Sequence, residues 1–126
     1  MIIDQLENLK KYFQEFGEIY IDFYFGWWLT MNEPTLRMYV DENGNSVKTE
    51  NMTEAQHKAM AEYYKFIVKK YFEIIPAAQQ YGITQWCITD APSDSGWRGG
   101  EPVGLWDSNY SRKHTYAGFA DGLAGK

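Results

Sequence analysis

The sequence predicts an α/β fold built on a parallel sheet. Three observations carry that expectation. Apolar residues switch between helical and strand spacing in the order helix, strand, helix, strand, helix, the alternation of parallel α/β folds. A capping box opens a long amphipathic stretch in the middle of the chain. A loop rich in Gly and Pro then follows the last apolar run, and compact domains seldom keep so long a loop without a use for it. The chain has 126 residues, enough for one modest domain with a core.

The elements follow in order. Residues 3–16 predict an amphipathic helix: Ile3, Leu6, Leu9, Phe13 and Phe16 recur at helical spacing, and Gly17 suits its C-terminal stop. In residues 19–25, Ile19, Ile21, Phe23 and Phe25 alternate with Tyr20, Asp22 and Tyr24, the period of a strand. Residues 26–31 extend it or begin another strand. Residues 41–46 are rich in turn formers, and 47–52 are expected to be loop. Thr53 and Gln56 form the capping box of a helix over 54–75, with Met60, Tyr64, Ile67, Tyr71 and Ile74 as its apolar stripe and Pro76 just beyond. Residues 83–89 predict a buried strand introduced by Gly82. Residues 90–107 form the long loop, and 112–123 predict a final short helix.

Composition narrows the function. The net charge is −5, from 12 basic and 17 acidic residues, with no basic run. Nucleic acid and anionic membranes are therefore not expected as partners. The longest apolar run, residues 23–31, is broken by Gly26 and Thr30, far short of the ~20 residues that span a bilayer. The opening Met1-Ile2-Ile3-Asp4-Gln5 lacks the basic and apolar regions of a secretory signal. Cys87 is the one cysteine, so no intrachain disulfide is possible, and its apolar neighbours predict a small buried hydrophobe. No His or Cys pair stands at metal-ligand spacing, so neither metal nor organic cofactor is expected. Aromatics make up 17% of the chain. Such rings pack cores, and they also form the platforms on which sugar rings stack.

The most informative stretch runs from residue 82 to 116. It reads Gly82-Ile83-Thr84-Gln85-Trp86, then Ser95-Gly96-Trp97-Arg98, then Pro102-Val103-Gly104-Leu105-Trp106-Asp107, then Asn109-Tyr110 with Lys113 and Tyr116. This series closely resembles the end of the glycoside hydrolase family 10 barrel, the family of endo-β-1,4-xylanases. There the last strand carries "GIT-x-W", and the loop beyond carries "SW" and then "P-L-L-F-D-x-N-Y-x-x-K-x-A-Y". The preceding helix of the family is matched in part by residues 56–68. Several motifs in one order are far more specific than any one of them, and together they cover residues 53–126. Residues 1–52 match poorly.

The resemblance implies the C-terminal portion of a TIM (β/α)8 barrel, about its last two to three βα units. A whole barrel needs roughly 250 residues, so residues 1–126 are expected to form a single partial glycosidase domain. It implies xylan or xylo-oligosaccharides as ligand, no cofactor, and a secreted or periplasmic setting. Trp86, near the end of a strand where barrel active sites are built, can floor a sugar subsite. Trp97 can close over the same sugar, and Arg98 adds hydrogen-bond donors. A core role is the alternative for Trp86. Trp97, flanked by Ser95, Gly96, Arg98 and Gly99, has little apolar company. Asp107, Asn109 and Tyr110 are expected to fix the loop.

Glycosidases of this class use two carboxylates. Met31-Asn32-Glu33-Pro34 resembles the acid/base motif of related sugar-hydrolysing barrels, in which the Asn binds a sugar hydroxyl. By position, however, Glu33 falls where family 10 carries its nucleophile in "[ST]-E-L-D". Glu33 is thus the candidate nucleophile and Asn32 a candidate substrate contact. The alternative is an ordinary loop glutamate before a proline. Nothing in the sequence matches the family's other carboxylate motif, "W-D-V-V-N-E". Three classes stay open: a xylanase of which this chain supplies part, a non-catalytic xylan-binding domain, and a structural fragment. The few strands also predict open sheet edges. The chain is therefore expected to self-associate as a homo-oligomer, or to pair with the missing N-terminal part of the barrel.

Overall fold

The computed structural model describes residues 3, 4, 7, 8, 19–23, 47–85 and 87–126, with 19–23 as backbone. Ile3, Asp4, Glu7 and Asn8 are helical and exposed. The rest of the helix expected over 3–16, the continuation of the first strand past Phe23, and the turn at 41–46 lie outside the described residues.

Strand β1 (Ile19–Phe23) pairs in parallel with β2 (Gln80–Gln85), with helix α1 (Glu54–Ile74) on the connection between them. Tyr20 faces Gly82, Ile21 faces Ile83, Asp22 faces Thr84 and Phe23 faces Gln85, after an irregularity between Ile19 and Tyr20. A final helix, α2 (His114–Leu123), completes the order. The described residues thus hold a two-stranded parallel βαβ unit and one further helix, part of a barrel and not a closed one.

Helix α1 starts where the capping box requires. The Gln56 N–H donates to the Thr53 hydroxyl at 3.2 Å, and the Thr53 N–H donates to the Gln56 side-chain oxygen at 2.8 Å. At the other end, the Gln80 side-chain amide donates to Phe72 O at 3.1 Å and Ile75 O at 2.7 Å, satisfying carbonyls that the helix leaves unpaired. Met60, Tyr64, Ile67 and Tyr71 are buried as expected, joined by Val68. Ile74 packs at the margin of the core, and Ile75, one residue past the helix, is fully buried. The core extends through Met52 and Leu105, with Ile83, Trp106, Tyr116 and Phe119 against it.

Helices α1 and α2 touch through glycine. A Cβ on Gly118 would lie 2.0 Å from Ala61 O, and one on Gly122 would lie 2.8 Å from Val68 Cβ. Only residues without a side chain allow the two backbones to approach this closely.

Four expectations are corrected. Residues 47–52 are not simply loop: Thr49–Asn51 forms a 3-10 turn, held by the Thr49 N–H donating to Gly100 O at 2.8 Å. The second strand begins three residues early and ends at Gln85, half-buried, while Ile88 is 62% exposed. The chain beyond β2 pairs with the returning loop instead: Leu105 and Trp106 both donate to Ile88 O, and Thr89 bridges to Trp106. Cys87 is half-buried and not a core residue; burial pushes its thiol up, against the opposing pull of the Arg98 guanidinium. The last helix begins at His114, after Arg112 has bridged to Trp106 and laid its guanidinium 4.4 Å from the centre of the Tyr116 ring.

Candidate functional site

The loop between β2 and α2 is an ordered structure tied down at both ends. Asp90 anchors it. One carboxylate oxygen accepts the Gly104 N–H at 2.7 Å and the Lys113 ammonium at 3.0 Å; the other accepts the Thr49 hydroxyl at 2.7 Å. The Asp90 and Lys113 side chains are 2% and 4% exposed. Lys113 also donates to Gly104 O at 3.1 Å, which accepts the Thr115 hydroxyl at 2.9 Å as well. Burial pulls Lys113 below its ordinary pKa, although Asp90 opposes the shift. The backbone fits this tightly because residue 104 is glycine: a Cβ there would sit 2.4 Å from the Thr89 carbonyl carbon.

Asp107 anchors the second turn. Its carboxylate accepts the N–H groups of Asn109 and Ser111, each at 2.9 Å, and its carbonyl accepts the Tyr110 N–H. Tyr110 sits at φ 63°, in the left-handed region, and its ring is exposed. Behind the loop, the buried Tyr64 hydroxyl donates to Val103 O at 2.9 Å, and the Gln85 amide donates to the same oxygen at 2.8 Å. Burial pushes the Tyr64 phenol far above its ordinary range, so it remains a donor.

Of the catalytic and substrate-contact candidates, Trp97 and Arg98 are described. Trp97 is 45% exposed, as a stacking platform must be. Its backbone is latched by Ser95, whose hydroxyl donates to Trp97 O at 3.1 Å and accepts the Trp97 N–H at 3.2 Å. Arg98 is turned inward. Its guanidinium pairs with Glu101, the two side chains being 14% and 25% exposed, and its charge is felt by the Tyr64 phenol and the Cys87 thiol. Arg98 therefore serves the loop in this structure. Trp86, Asn32 and Glu33 lie outside the described residues.

A polar cleft of about 330 Å³ opens between the first turns of α1 and α2, with Glu54, His57, Asp90, Ser93, Asp107 and Arg112 among its walls. His114 and Glu54 meet across it at 2.9 Å, and the His57 and His114 rings stack 6.0 Å apart. Burial, with Lys113 and His114 nearby, holds His57 below its ordinary pKa. Among the described residues, its wall holds no Trp, Tyr or Phe and does not include Trp97.

Sequence reading missed Glu101 and the clasp joining Asp90, Thr49 and Lys113. Glu101 stands three residues after an arginine, a signal available in the sequence. The Thr49–Asp90 contact spans 41 residues and left no local trace.

No protein-family model matches the chain. The endo-β-1,4-xylanase Xyn10C of Cellvibrio japonicus is 35% identical over 89 residues, 62% of this chain and 14% of that protein. The fold aligns with a thermostable mutant of xylanase Xyn10A from the same organism. That match has a TM-score of 0.52 and 25% identity, over 76% of this chain and 26% of the other. It also aligns with a mutant of xylanase 10C solved in complex with xylopentaose, with a TM-score of 0.56 and 19% identity, over 99% of this chain and 31% of the other. The chain thus spans less than a third of the length of each of these relatives. By sequence and fold together, the chain resembles a part of the barrel of these family 10 xylanases.

Proposed function

We propose that the chain supplies the Trp97 side of the active site of a xylan-degrading enzyme, an endo-1,4-β-xylanase working by the retaining, two-carboxylate mechanism. The observation that carries this is the loop itself. The linked motifs from Gly82 to Tyr116 fold as strand, clasped loop and helix, and they present a half-exposed Trp97 on a backbone held from several sides. Trp86 floors the subsite that Trp97 covers, and Asn32 contacts the sugar. Glu33 is the nucleophile. Its carboxylate attacks the anomeric carbon while the second carboxylic acid protonates the leaving oxygen, and water then releases the sugar from the glycosyl-enzyme. No metal or organic cofactor enters these steps.

The second carboxylate has no motif in this sequence, so residues 1–126 act as a partial glycosidase domain. We expect xylan hydrolysis only when another copy or the remaining barrel provides it. Among the described residues, the outer edges of the β1–β2 pair suit such a partner, and light scattering at micromolar concentration tests for self-association. A monodisperse 14.7 kDa species with a cooperative thermal transition would refute it.

Reducing-sugar release from xylan, with Glu33→Gln as control, tests the chemistry. Turnover abolished by that change supports hydrolysis by this chain's own Glu33. Binding without turnover assigns the chain to sugar binding alone, and neither outcome leaves it structural. In calorimetric titration with xylo-oligosaccharides, Trp86→Ala is expected to weaken binding more than Trp97→Ala, because a strand-borne ring needs less ordering. The scale is on the order of 1–3 kcal/mol, by analogy with stacking of bases on aromatic rings. Equal or absent effects would remove Trp86 from the subsite.

A further inference from the structure

Arg98 adopts φ 46°. This is the left-handed region, which a residue with a side chain enters at a cost and in which it must be held by its surroundings. Its neighbours show what holds it. The Glu101 N–H donates to Arg98 O at 3.1 Å, and the Glu101 carboxylate pairs with the Arg98 guanidinium. The turn is closed on both sides: Gly100, at φ 74°, donates to Ala91 O, and a Cβ on Gly99 would lie 2.7 Å from both Ser93 O and Ser95 O. Trp97 is the residue immediately before this strained position, and its carbonyl shares one peptide plane with the Arg98 N–H.

We propose that Glu101 is a positioning residue for Trp97. By pairing with Arg98 it keeps that backbone left-handed and so fixes the angle at which the Trp97 ring meets a ligand. The proposal rests on Trp97 as a sugar platform for its consequence in binding, but not for its structural content. Glu101 acts through Arg98, with which it pairs.

The full chain labelled with 5-fluorotryptophan allows a direct test, with the Trp97 ¹⁹F resonance identified through Trp97→Phe. Glu101→Gln keeps the shape and removes the charge. The Trp97 resonance is expected to shift and broaden, and xylopentaose affinity to fall about two- to fivefold, the factor a partly exposed ion pair supports. Arg98→Gly supplies a residue that accepts positive φ without a partner. In that background Glu101→Gln should leave the Trp97 resonance unchanged. In a Trp97→Ala background it should cost no further affinity. An unaltered Trp97 resonance in Glu101→Gln, or an equal loss of affinity with and without Trp97, would overturn the proposal. If xylopentaose does not bind the unmodified chain, the sugar-site reading fails, while the ¹⁹F comparison with and without Arg98→Gly still decides whether Glu101 positions the ring.

Discussion

Replacing Lys113 by Met keeps most of its aliphatic volume and removes the cation paired with Asp90. The carboxylate, 2% exposed, then keeps the Gly104 N–H and the Thr49 hydroxyl but carries an unbalanced charge. Breaking a buried pair on one side costs about 3–5 kcal/mol. Two surviving donors place this case near ~3 kcal/mol, since each hydrogen bond to a charged group stabilises by roughly 1.5–3 kcal/mol. On a chain of this size that lowers Tm by roughly 10–15 °C. Asp90→Asn strands the ammonium instead, and its signature lies in pH. Burial already depresses Lys113 with Asp90 present, and without Asp90 the depression deepens. A lysine with a folded pKa below its unfolded value binds fewer protons in the native state. Stability should then rise with pH between the two values, by up to about 1.4 kcal/mol per pH unit, ending near the unfolded value of ~10.4. The double variant, neutral at both positions, should recover most of the loss. Urea unfolding followed by circular dichroism from pH 7 to 10 measures all three. A Lys113→Met chain within about 0.5 kcal/mol of the parent, a size usual for surface changes, would refute the argument. So would an Asp90→Asn chain of constant stability across that range.

Two further outcomes concern packing and charge between the helices. Gly118→Ala places a Cβ 2.0 Å from Ala61 O, so α1 and α2 must separate; a loss of about 1–3 kcal/mol is expected, read as a lower urea midpoint with unchanged slope. His57 is held below its ordinary value of 6.5, by burial first and then by Lys113 and His114, against Glu54 and Asp90. As pH falls below 6.5 the unfolded chain takes up the proton before the folded one does, so stability is lost down to the folded pKa; His57→Gln should flatten that slope between pH 7 and pH 5.

Much of this protein could be read from local pattern, because the forces that set it act over a few residues. The capping box at Thr53 and the stripe from Met60 to Tyr71 depend on spacing alone, and both stand in the structure as expected. So does the βαβ order, since strand and helix periods differ. The linked motifs after Gly82 pointed to family 10 because they preserve residue types in a fixed order. Contacts between distant segments decided the rest. Past strand β2, Ile88 and Thr89 meet Trp106, and hydropathy carries no record of that meeting. Residues 49–51 form a turn because Gly100 accepts the Thr49 N–H. Arg98 had the composition of a ligand contact, yet only the fold brought Glu101 against its guanidinium and turned it inward. Lys113 stood in the sequence as one position of the linked motifs, with no sign of its burial. It is buried on Asp90 because the loop closes over both, and the energy of that pair comes from the exclusion of water, which tertiary structure alone provides.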